Sequence, residues 1–243
     1  MKYSLTLASD EIATTSKARI QALAVLEKAL LRDPGRDDAR RRAARLAMDL
    51  NQLPDARGHL EILLKSTPED GESELLLGRC LEADGKFTEA STRYESARKH
   101  QPGLIEAYSR LANLLRDRLG ENARADRIMD AVEVNGGLIA LNGQSSRAYL
   151  ERARYRKAYQ VAISGIAADL ARAVELAPDD AEALLDSTRL AREEGRLDDA
   201  RRLLDRGLDK HPHEARMYVA LSELELQANR PEEAIAGGSP ADY

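Results

Sequence analysis

The side chains best suited to chemistry are few and far apart. The 243 residues contain four histidines, His59, His100, His211 and His213, and one cysteine, Cys80. A metal centre needs several His, Cys or carboxylate ligands at short fixed spacings, and a nucleophile needs a base within hydrogen-bond reach. No histidine has such a partner nearby in the sequence, and His211 and His213 flank Pro212, the setting of a helix end. A single cysteine can close no internal disulfide, so Cys80 reads as a small buried residue on a helix. Gly136-Gly137 and Gly237-Gly238 follow no strand pattern and make no phosphate-binding loop. The expectation is a protein that is not an enzyme, with no catalytic residue, no cofactor and no metal.

What the chain has in quantity is charge: 33% of its residues are Asp, Glu, Lys or Arg, with a net charge of -5. A mildly acidic balance argues against general affinity for nucleic acid or an anionic membrane, though not against a local basic surface. No run approaches the roughly 18 apolar residues of a membrane span, and Met1 to Asp10 lacks a signal peptide's apolar centre. A cytoplasmic protein without membrane contact is expected. Apolar residues make up 43% but aromatics only 4%, with no Trp and one Phe. Such a core rests on Ala and Leu at close helix-helix approach, the composition of an all-helical chain.

The elements that must position these charges recur at one offset. Ala56 and Ala90 are 34 residues apart, as are Pro68 and Pro102, and each alanine is followed by a large residue (Leu60, Tyr94) and a smaller apolar one (Leu63, Ala97). That is a helix which packs tightly at its start and stops at a proline. Ala22, Leu26, Ala29 and Pro34 repeat the spacing one period earlier. The ruler divides the chain into 1–36, an atypical first repeat or cap; two full units, 37–70 and 71–104; 105–145, a unit with an inserted loop; 146–180; 181–214; and a partial unit, 215–243. Tyr3-Ser4-Leu5-Thr6-Leu7 reads as a strand or an irregular cap. Between Pro102 and Pro178 the register slips by eight residues. One extra residue falls in the turn Asp117-Arg118-Leu119-Gly120, and most of the others fall in Gly136–Gly143, read as a loop with a buried apolar tip. The unit 146–180 lacks the turn glycine, which places its hairpin boundary near Gln160 to Gly165. The last unit opens a second helix at Pro231 and Ala234, then meets Gly237-Gly238-Ser239-Pro240. Either that helix is vestigial or the chain is cut from a longer array.

A helix-turn-helix unit with Leu-Gly or Leu-Ala at positions 7 and 8, Gly at 15, Ala at 20, a large residue at 24, Ala at 27 and Pro at 32 resembles the tetratricopeptide repeat. Residues 71–104 fit best, through Leu77, Gly78, Gly85, Ala90, Tyr94, Ala97 and Pro102. The resemblance spans roughly residues 18–236. Departures are Arg40 and Glu74 at position 4 and Ile166 at position 20. It implies an all-α, right-handed α-α superhelix of about six helix-turn-helix repeats that serves as a scaffold for protein-protein interaction.

In that family the first helix of each repeat lines a concave groove. Carried over here, position 9 reads Arg45, Arg79, Asn113, Arg154, Arg189 and Glu223, and position 12 reads Met48, Glu82, Arg116, Lys157, Arg192 and Leu226. With Arg41 and Arg110, the basic residues and Asn113 form a candidate peptide-binding stripe suited to the carboxylates of a partner protein or peptide. A second reading is open, in which Arg45 with Asp49 and Arg189 with Glu193 are helix pairs on a self-neutralised face. The family's terminal-carboxylate clamp is not carried over, because Leu76 and Glu106 stand where the clamp needs Asn and Lys. Two other readings stay beside the scaffold: a single-stranded RNA-binding helical repeat, and self-association through the truncated C-terminal end.

Overall fold

The computed structural model describes residues 16–130 and 136–228, which form thirteen α-helices and one short 3-10 helix, with no strand among them. Among the described residues one helix, α1 (Ser16–Arg32), precedes three hairpins: α2 (Asp37–Asp49) with α3 (Leu53–Ser66), α4 (Gly71–Ala83) with α5 (Phe87–His100), and α6 (Ile105–Asp117) with α7 (Asn122–Met129). A short helix, α8 (Leu138–Asn142), follows. Then come α9 (Ser146–Tyr159) with α10 (Ile166–Leu176), α11 (Ala181–Glu193) with α12 (Leu197–Lys210), and α13 (Ala215–Gln227). The chain divides into two compact units, one ending at Ile128 and the other beginning at Met129. The alternation at Tyr3–Leu7, the helix expected at Pro231 and Ala234, and Gly237–Pro240 lie outside the described residues.

Local chemistry starts and stops these helices. Asp70 caps α4, accepting from the Ser73 amide at 3.4 Å and the Ser73 hydroxyl at 2.6 Å, and Asp180 caps α11 through the Ala183 amide at 2.9 Å. Between the helices of each hairpin the chain turns through the left-handed region, at Asn51 (φ 58°), Gly85 (φ 74°), Gly120 (φ 71°), Gln160 (φ 54°) and Gly195 (φ 75°), with a second such residue, Ala162 (φ 43°), after Gln160. Asn51, Gly85, Gln160 and Gly195 occupy position 15 of their units, and Gly120 is displaced by the one-residue insertion. Gln160 therefore takes the place of the absent glycine, and its amide donates to the Lys157 carbonyl at 2.8 Å.

The repeated residues are the core. Ala56, Leu60, Leu63, Ala90, Tyr94 and Ala97 are completely buried, and Leu77 nearly so. Arg40 and Glu74, which depart from the repeat pattern, are buried but paired. Arg40 donates to the Pro34 carbonyl at 2.7 Å, and Glu74 accepts from Arg93 at 3.1 Å.

Where a loop was expected at Gly136–Gly143, the chain forms the single turn of α8. Leu138, at its start, is completely buried, whereas Leu141 is half exposed, so the anchor is the first residue of the turn and not its tip. Beyond it, α9 and α10 are joined by a charged cluster. Buried Asp169 accepts from Arg152 at 2.6 and 3.0 Å and from Arg156 at 2.8 Å, while Asp130 accepts from Arg156 at 2.9 Å.

Candidate functional site

The predicted basic residues of the first unit are held by carboxylates, mostly on a neighbouring first helix. Arg41 donates to Asp70 at 2.5 Å, Arg45 to Glu72 at 3.1 Å, and Arg79 lies 3.7 Å from Glu106. Arg110 bridges its own helix and the preceding one, 3.1 Å from Glu106 and 3.5 Å from Glu82. Arg116 turns to Asp126 of its own hairpin at 2.6 Å, and Asn113 is exposed. Arg45 and Arg79 pair with the next first helix, and not along their own helix as in Arg45 with Asp49, whereas Arg110 also pairs along its own helix and Arg116 within its own hairpin. The carboxylate at position 2 of one repeat, Glu72 or Glu106, meets guanidiniums at positions 5 and 9 of the previous one, Arg41 and Arg45 or Arg79. Burial pulls the Asp70 carboxyl up, but the Ser73 hydroxyl and the Arg41 guanidinium together hold it below the usual carboxylate range.

In the second unit four of the predicted residues, Arg154, Lys157, Arg189 and Arg192, line one cavity of about 630 Å³ formed chiefly by α9, α11 and α13. Its charges are again engaged. Arg154 donates to Asp186 at 2.6 Å and Glu182 at 2.9 Å, Lys157 to Glu193 at 2.6 Å, and Arg192 to Glu223 at 2.5 Å. The hydrogen bond from Arg154, against an opposing effect of burial, holds the Glu182 carboxyl below its ordinary value. Among the described residues Arg189 pairs only with Asp186, three residues back on its own helix, at 3.0 Å, and its side chain is 61% exposed.

Between these charges the lining is apolar: Ala153, Ile166, Leu170, Leu185, Leu190, Val219 and Ala220. Val219 is 58% exposed, and Leu226, two turns further along the same face of α13, is 61% exposed. Two large aliphatic side chains thus stand in water beside a cavity whose own charges are neutralised.

Two profiles of the tetratricopeptide repeat family match the chain, over residues 16–80 and 185–237. Solved structures agree. A tetratricopeptide repeat protein from Parabacteroides merdae superposes with a TM-score of 0.59 at 15% identity, over 97% of this chain and 90% of its own. The chain belongs to the tetratricopeptide repeat family. Yeast Tom70 (TM-score 0.59, 11% identity) is matched over 97% of this chain but only 58% of its own length. PilW, a type IV pilus biogenesis factor, gives a TM-score of 0.59 at 17% identity over 83% of this chain and 90% of its own. No curated protein matches the sequence.

Within this tetratricopeptide repeat fold, the predicted basic residues lie on first helices, and most of them are engaged by carboxylates. Val219 went unmarked because it is one aliphatic residue among many in a helical chain. The available signal was its place at position 5 of the repeat, which faces the groove in this family, with Leu226 at position 12 of the same helix. No helix among the described residues is long and apolar enough to cross a membrane.

Proposed function

We propose that the protein is an interaction scaffold that holds a peptide or helical segment of a partner protein on the first-helix face of its second unit. The observation that carries this reading is the open apolar surface of Val219 and Leu226 beside the cavity of about 630 Å³. Burying two aliphatic side chains of this size contributes roughly 1.5–3 kcal/mol each when fully covered. The surrounding ion pairs offer far less, because each must be broken before a partner's charge can replace it. Arg189 is the exception: it is exposed and shares its one carboxylate with Arg154. The reading is therefore an apolar anchor in the cavity with an acidic residue of the partner beside Arg189.

The pairing also bears on the RNA reading. Phosphate binding draws on unneutralised cations, and on this face Arg154, Lys157 and Arg192 are engaged by carboxylates of a neighbouring repeat.

The test is selection of random displayed peptides on the full chain, followed by affinity measurement on variants. Selected peptides are expected to lose roughly tenfold or more in affinity on Val219→Asp, where a charge replaces the apolar contact. Arg189→Glu is expected to cost less and in a salt-dependent way. Equal affinity for wild type, Val219→Asp and Leu226→Asp overturns the assignment of this face.

A further inference from the structure

One residue of the second unit breaks the size rule of its place. Position 8 is alanine or glycine in four of the units, at Ala44, Gly78, Ala112 and Ala153, but in 181–214 it is Thr188. Thr188 is 1% exposed, and its hydroxyl oxygen is shut off from water without a hydrogen-bond partner among the described residues. A helical threonine commonly donates to the carbonyl four residues back. Here that bond is not made, so a buried polar group stands unsatisfied, at a cost that a ligand supplying the missing partner removes. Thr188 also lines the cavity of about 630 Å³, together with Ala153, Leu170 and Leu185. That volume lies within the roughly 300–1,000 Å³ of small-molecule sites, which join apolar walls to a few polar groups. The charges around it are closed. Five cations and three carboxylates line the cavity, and their ion-pair partners outside it, Arg147 against Glu151, Glu193 and Glu214, make six of each. A charged ligand held within the cavity must break one of these pairs to be neutralised, and a neutral one need not.

We propose that this cavity is the binding site of a neutral phenol, an apolar ring carrying one hydroxyl, and that Thr188 is the residue that recognises the hydroxyl. The apolar walls take the ring. A guanidinium paired edge-on with a carboxylate keeps its faces available, and those of Arg154 and Arg192 in the lining suit an aromatic ring. Rotation about χ1 exchanges the Thr188 hydroxyl with its methyl, and helical threonine uses both rotamers. The turned hydroxyl donates or accepts, as the phenol itself does. A plain hydrocarbon ring fills the same walls but leaves Thr188 unpaired. The phenol belongs either to a free small molecule or to a tyrosine side chain of a partner. In the second case the inference rests on the scaffold reading; in both it turns on Thr188, which that reading does not use.

The experiment titrates the full chain with p-cresol, toluene and p-toluate, which carry on one ring a hydroxyl, no polar group and a carboxylate. Side-chain methyl NMR signals report the binding. p-Cresol is expected to shift the methyl signals of Leu170, Leu185 and Val219 and to bind roughly tenfold more tightly than toluene, with p-toluate weaker than p-cresol. Thr188→Val, which keeps the shape and removes the hydroxyl, is expected to bring p-cresol down to the affinity of toluene while toluene itself binds as before. Thr188→Ser is expected to keep most of the preference, and both variants to keep the wild-type circular dichroism spectrum. Displayed peptides selected on the chain separate the two sources. Displacement by p-cresol of a peptide that loses affinity when its tyrosine becomes phenylalanine assigns the phenol to a partner, and p-cresol binding that displaces no selected peptide assigns it to a free molecule. The proposal is overturned if p-cresol leaves the three methyl signals in place, if toluene or p-toluate binds as tightly as p-cresol, or if Thr188→Val keeps the preference. Unchanged peptide affinity of Val219→Asp sinks the scaffold reading alone, because the preference for p-cresol is read on Thr188.

Discussion

The ring of Tyr94 lies directly on the bare backbone of Gly78: a Cβ added to that glycine would sit 2.5 Å from Tyr94 Cε1 and 2.7 Å from Cδ1. One residue is without a side chain because the other fills the space. Together they set how closely α4 and α5 approach. The ring's hydroxyl then reaches Glu82 at the end of α4, so the same contact fixes both the packing and the register of the hairpin.

Gly78→Ala is expected to destabilise the protein by about 1–3 kcal/mol through overpacking. Combining it with Tyr94→Leu should recover part of the loss, because the smaller side chain vacates the space that the new methyl needs. Thermal melts of the two single variants and the double variant measure the coupling; strict additivity would mean that the contact does not govern the hairpin.

Leu77, one residue earlier, is 3% exposed. Leu77→Asp buries a charge without a partner and is expected to cost several kcal/mol, enough to unfold at least the central hairpins. A melting curve coincident with that of the wild type would show that the repeat register is misplaced.

The carboxylate of Asp169 holds two arginines in the fourth hairpin. Asp169→Asn leaves Arg152 and Arg156 with only Asp130 and is expected to lower stability by about 3–5 kcal/mol. Arg189→Ala, at an exposed pair, is expected to change it by less than about 1 kcal/mol. Urea denaturation of both variants measures the contrast between a buried and a solvated ion pair.

Asp70 gives a pH dependence. Its carboxyl is held below the ordinary range in the fold, so over that window the unfolded chain binds more protons than the folded one. The stability this contributes is fully present above the ordinary carboxylate value and is lost as pH falls through the depressed folded value. Asp70→Asn keeps a helix cap but not the charge. It is expected to be less stable than the wild type at neutral pH and to converge with it in acid, as followed by denaturation midpoints across the pH range.

Most of the architecture is written in the chain as spacing. Ala56, Ala90, Leu60 and Tyr94 announce a buried helix face because a helix that must pack against two neighbours tolerates only certain sizes at fixed intervals. Pro68 and Pro102 mark helix ends because proline cannot continue a helix. The irregularities were legible as lengths but not as shapes. The inserted residue near Arg118 was countable, yet the placement of its guanidinium over Phe87 depends on where the turn directs it. Likewise Gln160 does the work of a glycine, because the hairpin requires a left-handed residue there whatever the side chain.

The candidate sites divide along the same line. The sequence by itself determined which helices carry the basic residues, since Arg45, Arg79, Arg154 and Arg189 follow from the repeat register alone. Only the tertiary structure decided which of them are free to act. Stacking brings Glu72 to Arg45, Glu106 to Arg79, and Glu182 and Asp186 to Arg154, partners 27 to 32 residues away in the chain. A charge's availability is set by what lies within a few ångströms of it, and in a stack of hairpins those neighbours come from the next repeat. That is why a basic stripe in the sequence becomes in space a row of inter-repeat ion pairs, with Arg118, Val219 and Leu226 left facing water.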